Sequence, residues 1–251
     1  MTEYTYQYGF SELHPDSMYD AAMREQKANK MLSVLSDFYA GGIETLSLLD
    51  IGCSTGIISH LLSKKLGRVV GIDIDGKAVK HAQKNYASHK LMFSIQDSMN
   101  LGFPHGSFDV AVCAHVYEHV PDANRLLSEI HRVLRQGGVC YFAAGNRLNL
   151  IECHYNLPLL SILPKPLAHL YLRALRRGRF YYENHRTLWG LKKLVSQFHL
   201  IDYTSKIIGD PQKFYTTELF RPGSVKQKTA LWAVKNLYWL CPTYIWLLQK
   251  K

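Results

Sequence analysis

Leu48-Leu49-Asp50-Ile51-Gly52-Cys53-Ser54-Thr55-Gly56 is an apolar run that breaks into a turn carrying two glycines. A second apolar run begins at Arg68, one helix later, and Asp73 closes it. Strand, tight loop, helix, strand and acid in this order are typical of an α/β sheet that binds a nucleoside. The loop glycines let backbone N–H groups approach the ligand, and the acid at the end of the second strand can accept both ribose hydroxyls.

The spacing of this loop separates it from the loops that bind nucleotide phosphates. It reads Asp-x-Gly-x-x-x-Gly, whereas a pyrophosphate cradle has G-x-G-x-x-G and a Walker A loop has Gly-Lys-Ser/Thr. The loop therefore predicts a ligand that is a nucleoside without phosphates.

The apolar and polar runs around the loop alternate between the periods of strands and helices. Strands are predicted over 45–51, 68–73, 91–96, 108–114 and 138–144, and helices over 56–65, 76–86 and 122–135. The alternation favours an α/β fold, a Rossmann-like, doubly wound, mostly parallel seven-stranded sheet with helical cap insertions. Ligands bind at the carboxyl ends of such strands, where Asp50, Asp73 and Asp97 fall.

Five motifs in order over residues 45–146 resemble the class I S-adenosylmethionine-dependent methyltransferases, most closely the ubiquinone-biosynthesis-like (methyltransferase type 11) branch. They are Asp50–Gly56, Val70–Asp75, Gln96-Asp97-Ser98, the run Phe108–Ala114 followed by His115-Val116-Tyr117-Glu118-His119-Val120, and the helix–Gly-Gly–strand passage Ile130–Val139. Two departures are visible, Ser54 where the family usually has glycine and Gln136 where it often has proline.

The resemblance implies that the cofactor is S-adenosyl-L-methionine. In the family the first motif lies against the methionine part, the acid equivalent to Asp73 holds the ribose, and the acid equivalent to Asp97 accepts from the adenine amino group. The expected cofactor-binding residues are Asp50, Gly52, Cys53, Ser54, Gly56, Asp73, Ile74, Asp97, Ser98 and Ala114.

Two histidines follow the fourth strand and are the candidate catalytic residues. Methyl transfer is an in-line displacement that needs a base only when the acceptor is a weak nucleophile such as a hydroxyl. His115 and His119 lie next to where the methyl group is expected and can take that proton near neutral pH. The alternative is that His119 packs or caps a turn, with Glu118 as a solvated or hydrogen-bonding partner.

The charge of the chain, +10 in all, is concentrated after residue 146. Residues 1–146 carry 13 basic and 15 acidic side chains, a net of −2, and residues 147–251 carry 17 and 5, a net of +12. Such asymmetry points to an acidic partner: a phosphorylated substrate, an anionic membrane surface or nucleic acid.

Four segments are expected: an N-terminal arm and covering helix over 1–44, the cofactor-binding core over 45–146, a basic cap insertion over 147–186, and a C-terminal completion over 187–251 with a second insertion at about 209–242. Within the last segment we predict a helix over 187–197, a strand over 199–208, and a final strand over 243–248 paired with it.

The five cysteines have no metal or redox spacing and are typical of reduced cytosolic thiols. Neither a signal peptide nor a membrane span is expected. A cytoplasmic location is therefore predicted, including a peripheral position at a membrane surface.

The cap insertion is expected to choose the acceptor. Leu167, Leu170, Tyr171, Ala174 and Leu175 form one helical stripe, with basic residues on another face at Arg173, Arg176 and Arg177. Such a helix either lies on anionic lipid or covers the core with its arginines in water.

Polar and aromatic side chains of the same insertion are candidate acceptor contacts: His154, Tyr155, Tyr181 and His185. Glu118, His119, Glu152 and His154 offer metal-ligating groups, but no metal is expected because their spacing matches no metal motif.

These observations together predict an enzyme that methylates a small-molecule or lipid-linked acceptor at oxygen. One alternative is a nucleic-acid methyltransferase, although the chain after the fourth strand lacks the Asn/Asp-Pro-Pro-Tyr/Phe motif of amino-group nucleic-acid enzymes. The other is a cofactor-binding partner subunit without catalysis. The oligomeric state is not predicted.

Overall fold

The computed structural model describes residues 8–13 and 15–251; the first seven residues of the predicted arm lie outside this part of the chain. Its strands are β1 (Ser47–Ile51), β2 (Arg68–Asp73), β3 (Leu91–Ile95), β4 (Phe108–Ala114), β5 (Leu134–Gly145), β6 (Ile151–Glu152), β7 (Leu157–Pro158), β8 (Phe198–Asp202) and β9 (Thr243–Lys250). Its α-helices are α1 (Phe10–Leu13), α2 (Pro15–Tyr19), α3 (Ala21–Phe38), α4 (Ile57–Ser63), α5 (Gly76–Tyr86), α6 (Ala123–Val133), α7 (Lys165–Ala174), α8 (Leu188–Leu194), α9 (Thr204–Gly209) and α10 (Val225–Asn236).

Seven of the strands form one sheet in the order β3-β2-β1-β4-β5-β9-β8, and β6 and β7 form a separate hairpin. The first five strands in this order pair in parallel, and β9 pairs antiparallel with both β5 and β8. The order reverses at β1 and β4, which opens a crevice at the carboxyl ends of those strands. The predicted fold class, a Rossmann-like and mostly parallel seven-stranded sheet, is confirmed.

The sheet is buried on both faces, which explains why its strands read as continuous apolar runs rather than alternating ones. Leu49, Ile51 and Phe142 belong to the hydrophobic cluster on one face, and Leu48 and Tyr141 belong to the cluster on the other. The terminal run is part of this core: Trp246 and Leu247 are fully buried. The apolar residues of this run therefore pack in the core around the sheet.

Two helices that follow strands on the cofactor side begin with an aspartate cap. The side chain of Asp75 accepts from the N–H groups of Lys77 and Ala78 at the start of α5. Asp122 does the same for Asn124 and Arg125 at the start of α6. These caps fix where the loops after β2 and β4 turn back into helices.

The predicted strand over 199–208 is too long. The observed strand β8 ends at Asp202, and α9 begins at Thr204. The side chain of Asp202 accepts from the backbone N–H of Thr204, a local bond that favours a turn into helix over a continued strand. No described helix is both long and apolar enough to cross a membrane.

Candidate active site

A cavity of about 690 Å³ lies at the carboxyl ends of β1, β2 and β4. Residues of the strand-end loops form its floor, the N-terminal helices cover one side, and the insertion after β5 covers the other. Cavities of about 300–1,000 Å³ are usual for small ligands and cofactors. The cavity is therefore large enough for a nucleoside cofactor together with a second small molecule.

The loop after β1 forms the cofactor side of the cavity. Gly52 has φ of 74°, and a Cβ there would lie 2.7 Å from Cγ2 of Val116. Ser54 has φ of 49°, in the left-handed region that favours glycine. This conformation gives a physical reason for the glycine that the family usually has at the position of Ser54.

Asp73 lies at the end of β2 and faces this loop. Its Oδ2 accepts from the Ser54 N–H at 2.8 Å, and its Oδ1 accepts from the Asp75 N–H at 2.9 Å. Because a carboxylate has about four acceptor sites, Asp73 keeps acceptor capacity for a ligand hydroxyl. Burial raises the pKa of Asp73 from its ordinary value. Its arrangement fits the ribose of a nucleoside.

The other cofactor residues predicted at strand ends also line the cavity: Gly52, Ser54, Ile74, Asp97, Ser98 and Ala114. Oδ1 of Asp97 accepts from the Met99 N–H at 2.8 Å, which fixes the carboxylate at the mouth of its loop. The structure therefore brings Asp73 and Asp97, the acids predicted to contact ribose and adenine, into one cavity.

Three predicted cofactor residues support the loop from below and do not line the cavity. Asp50 is buried and accepts from the Ser59 hydroxyl at 2.5 Å, and burial raises the pKa of Asp50 to about 6. Cys53 is a buried thiol, and its burial raises its pKa. A Cβ on Gly56 would lie 2.6 Å from Cβ of Ala82, so this glycine lets α4 and α5 approach each other.

The N-terminal helices supply lining residues that the sequence motifs missed. Arg24, Lys27 and Met31 lie at helical spacing on one side of α3 and line the cavity. The Thr55 hydroxyl donates to the Met18 carbonyl at 2.8 Å, which ties α2 to the cofactor loop. The signal available in the sequence was the apolar face that contains Met18 and Met31.

Four histidines and two glutamates line the same cavity, and we call them the histidine cluster: His115, Glu118, His119, Glu152, His154 and His185. The first three come from the loop after β4, and the others come from the cap insertion. Both candidate catalytic histidines and two of the four candidate acceptor contacts therefore lie together.

The loop after β4 contributes an exposed histidine (His115), a half-buried histidine (His119) and a buried carboxylate (Glu118). His119 packs edge-on against the ring of Phe10 and against that of His154, with centroid distances of 5.1 and 4.9 Å. Burial lowers the pKa of His119 to about 4, so its imidazole is neutral at physiological pH. His115 has φ of 57° and lies with its Nδ1 3.5 Å from Oε1 of Glu118.

Glu118 is 1% exposed; its Oε1 lies 3.5 Å from Nδ1 of His115, and its Oε2 has no hydrogen-bond partner among the described residues. Burial acts to raise the pKa of Glu118, but the hydrogen bond and positive potential of His115, with the potentials of His119 and His185, outweigh it and hold the pKa at about 2. The cavity therefore contains a buried carboxylate that can accept a further hydrogen bond or bind a cation.

Glu152 is shared between two histidines of the cap. Its Oε1 lies 2.6 Å from Nδ1 of His154 and 3.5 Å from Nε2 of His185, while its Oε2 accepts from the backbone N–H groups of His154 and Tyr155. Burial acts to raise the pKa of Glu152, but these hydrogen bonds hold it below its usual range. Burial acts to lower the pKa of His154. Its hydrogen bonds with Cys153 and Glu152 outweigh this effect and raise the pKa of His154 to about 11.

The two predicted acceptor tyrosines do not line the cavity. Tyr181 is buried in a small cap core with Leu160 and Leu172, and Tyr155 packs against it with a centroid distance of 5.9 Å. Lys165 lies over the Tyr181 ring and donates to two backbone carbonyls nearby. These rings hold the cap together, because aromatic side chains bury large areas against one another.

Asn146 is a lining residue for which the sequence gave no separate signal. It follows β5, is buried, and its side-chain amide donates to the carbonyls of Trp239 and Cys241 at 2.8 and 2.9 Å. These bonds fasten the start of the cap insertion to the loop that precedes β9.

Known proteins with similar sequences are methyltransferases. Residues 49–142 match the family described as Methyltransferase domain. A 2-methyl-6-phytyl-1,4-hydroquinone methyltransferase of Synechocystis sp. is 36% identical over 113 residues, 43% of this chain and 36% of the relative. A ubiquinone biosynthesis O-methyltransferase of Psychrobacter arcticus is 32% identical over 111 residues, 42% of this chain and 43% of the relative.

Solved structures share the fold. The plantazolicin methyltransferase BpumL, solved with a monoazolic desmethylPZN analog and SAH, superposes with a TM-score of 0.59 at 20% identity, over 96% of this chain and 89% of that chain. The sequence matches above span less than half the length of the two curated relatives. The resemblance to class I S-adenosylmethionine-dependent methyltransferases is confirmed over residues 49–142, and S-adenosylmethionine is the cofactor that this resemblance implies.

Proposed function

We propose that this chain transfers a methyl group from S-adenosylmethionine to an oxygen of a small phenolic or hydroquinone-like acceptor. One observation carries the proposal: a single cavity joins the ribose-binding arrangement at Asp73 to the neutral imidazole of His119. Asp73, Asp97 and the loop around Gly52 would hold the cofactor. When bound, the cofactor supplies a methyl group on a positively charged sulfur.

The acceptor side suits a hydroxyl nucleophile. An imidazole nitrogen of His119 would take the hydroxyl proton, which a weakly nucleophilic oxygen must lose during transfer. The rings of Phe10 and His154 pack around His119 and would exclude water from the acceptor. The names of the two curated relatives, one acting on a hydroquinone and the other an O-methyltransferase, support a phenolic acceptor.

We further propose that the protein is cytoplasmic and that its cap insertion binds an anionic membrane surface. Lipid-linked acceptors would be methylated there. Leu167, Leu170 and Leu175 of the predicted apolar stripe are 52, 58 and 47% exposed. Ala168 and Leu172 are the residues of α7 that pack into the cap core instead. Exposed leucines beside Arg173, in a half of the chain with a net charge of +12, are typical of a helix that lies on acidic lipid.

Transfer of a labelled methyl group tests the enzymatic proposal. The protein is incubated with labelled S-adenosylmethionine and, separately, with catechol, hydroquinone, their dimethyl ethers, and mixed RNA and DNA. Label on the free phenols and not on the ethers supports the proposal. Label on nucleic acid alone would replace it with the nucleic-acid alternative, and tight S-adenosylhomocysteine binding with no transfer to any acceptor would favour a non-catalytic partner subunit.

Sedimentation with vesicles tests the membrane proposal separately. Vesicles of phosphatidylcholine with phosphatidylglycerol are compared with phosphatidylcholine alone. Replacing Leu167 and Leu170 by Ser is expected to reduce binding to the acidic vesicles, whereas the control Met92→Ser, on the exposed edge strand β3, keeps it. Equal sedimentation of the leucine variant and the parent would refute this part.

A further inference from the structure

We propose that Glu152, His154 and His185 bind a divalent transition-metal ion on the acceptor side of the cavity. Nothing in the spacing of these residues along the chain suggests a metal, and none was expected from the sequence. The site is formed by the fold of the cap insertion, which brings the hairpin of β6 and β7 against the segment that ends at His185.

The ligand atoms are close enough for one ion. One atom from each of the three residues lies within 4.8 Å of the other two. Oε1 of Glu152 is 2.6 Å from Nδ1 of His154 and 3.5 Å from Nε2 of His185. Tetrahedral bonds of 2.0–2.1 Å place ligand atoms about 3.3 Å apart. Small movements that widen the Glu152–His154 separation and draw His185 inward would therefore accommodate the ion, which would replace the proton between Glu152 and His154.

The surroundings of the three residues supply a second reason for a cation. Glu118 faces the same cavity, is 1% exposed, and its Oε2 lacks a hydrogen-bond partner among the described residues. Two carboxylates, Glu118 and Glu152, are thus buried in one space, where a dication would balance their charge.

The chemistry of the donors narrows the choice of ion. Two imidazoles and one carboxylate suit zinc, iron(II), cobalt(II) or manganese(II), whereas calcium and magnesium prefer oxygen ligands alone. Three protein ligands leave a coordination position open, as in catalytic zinc sites. Cys153, exposed and with its Sγ 3.6 Å from Nδ1 of His154, lies near enough to be tested as a fourth ligand.

The open position would face the space beside His119, whose ring lies 4.9 Å from that of His154. There the ion would hold the acceptor oxygen and ease its deprotonation. This role rests on the proposed methyl transfer, whereas the binding of the metal does not.

Direct metal titration tests the site. Untagged protein is freed of metal with a chelator and titrated with Zn²⁺ by calorimetry and with Co²⁺ by absorption spectroscopy. The expected result is one ion per chain, with visible cobalt bands typical of nitrogen and oxygen ligands. A strong sulfur-to-cobalt charge-transfer band that disappears in Cys153→Ser would add Cys153 to the ligand set and support the site.

Variants assign the binding to these residues. Glu152→Gln and His185→Gln are each expected to weaken Zn²⁺ binding at least tenfold, whereas the control His89→Gln, at an exposed histidine outside the cavity, leaves it unchanged. Circular dichroism and thermal melting of the metal-free variants confirm folding; if Glu152→Gln does not fold, His185→Gln carries the test.

The result that would overturn the site is distinct from failure of the proposed function. Absence of 1:1 binding by the parent protein, or equal Zn²⁺ affinity of the parent and His185→Gln, would refute the metal site. S-adenosylhomocysteine binding and methyl transfer are measured on the same metal-free samples, so that transfer without metal would leave the proposed function standing.

Discussion

The backbone N–H of Ser54 donates to Oδ2 of Asp73 at 2.8 Å and so joins the loop after β1 to the end of β2. The bond does two things at once. It holds the left-handed turn at Ser54 in place, and it orients a carboxylate that lines the cavity. The shape of the cofactor loop and the position of its recognition acid are therefore coupled.

Replacing Asp73 by Ala is expected to weaken S-adenosylhomocysteine binding by about 1.5–3 kcal/mol, the range for hydrogen bonds to a charged group. The substitution also removes the acceptor for the N–H groups of Ser54 and Asp75. Calorimetric titration measures the affinity. Asp73→Asn keeps one acceptor oxygen, so its affinity is expected to lie between those of the parent and Asp73→Ala. Unchanged affinity in Asp73→Ala would remove this residue from the cofactor site.

Replacing Gly52 by Ala is expected to destabilise the protein by about 1–3 kcal/mol and to weaken cofactor binding. The added Cβ would lie 2.7 Å from Val116, and the backbone at φ of 74° is strained for a side chain. Urea unfolding measures the loss. The double variant with Val116→Ala relieves the clash and not the backbone strain, so it should recover part of the stability; full recovery would show that backbone strain contributes nothing.

Replacing His119 by Ala is expected to lower kcat by about 10²–10⁴, the usual contribution of a general base. S-adenosylhomocysteine affinity should stay the same, because His119 lies on the acceptor side with Phe10 and His154. His105→Ala, at an exposed histidine in another loop, is the control. A kcat equal to that of the parent would assign His119 to packing, the alternative that the sequence left open.

The stabilisation provided by Glu129 is expected to depend on pH. Glu129 accepts from Arg132 and from the Leu101 N–H, and the hydrogen bond from Arg132 holds the pKa of Glu129 below its ordinary value of 4.5. A lowered folded-state pKa gives stability that is present above about pH 4.5 and is lost as the pH falls through the folded-state pKa.

Urea unfolding of the parent and Glu129→Gln at several pH values measures this effect. The difference in unfolding free energy should be largest near pH 6 and should shrink towards pH 3. Since Arg132 also donates to the carbonyls of Leu101 and Phe103, the loop that follows Asp97 should loosen in the variant. A difference that stays constant with pH would contradict the ionic origin of this stabilisation.

The second half of the fold shows where sequence pattern is insufficient. The run 199–208 is apolar enough to predict one strand, but the side chain of Asp202 caps the turn at Thr204 and α9 begins there. The predicted stripe on α7 is regular, yet its leucines at 167 and 170 are exposed and Ala168 and Leu172 enter the cap core. Periodicity finds a helix face, but the neighbouring segment determines which face is buried.

The sequence by itself determined the sheet and the cofactor side of the site. Gly52, Asp73 and Asp97 lie at or just after the ends of strands, and the carboxyl ends of neighbouring parallel strands must meet at one edge of the sheet. The acceptor side depends on the tertiary structure. Glu152 and His185 are separated by a helix and a small core of their own, and no local pattern fixes how that segment returns to the sheet. Only the packing of the cap brings them to His119, because contacts between residues distant in sequence depend on the whole path of the chain between them.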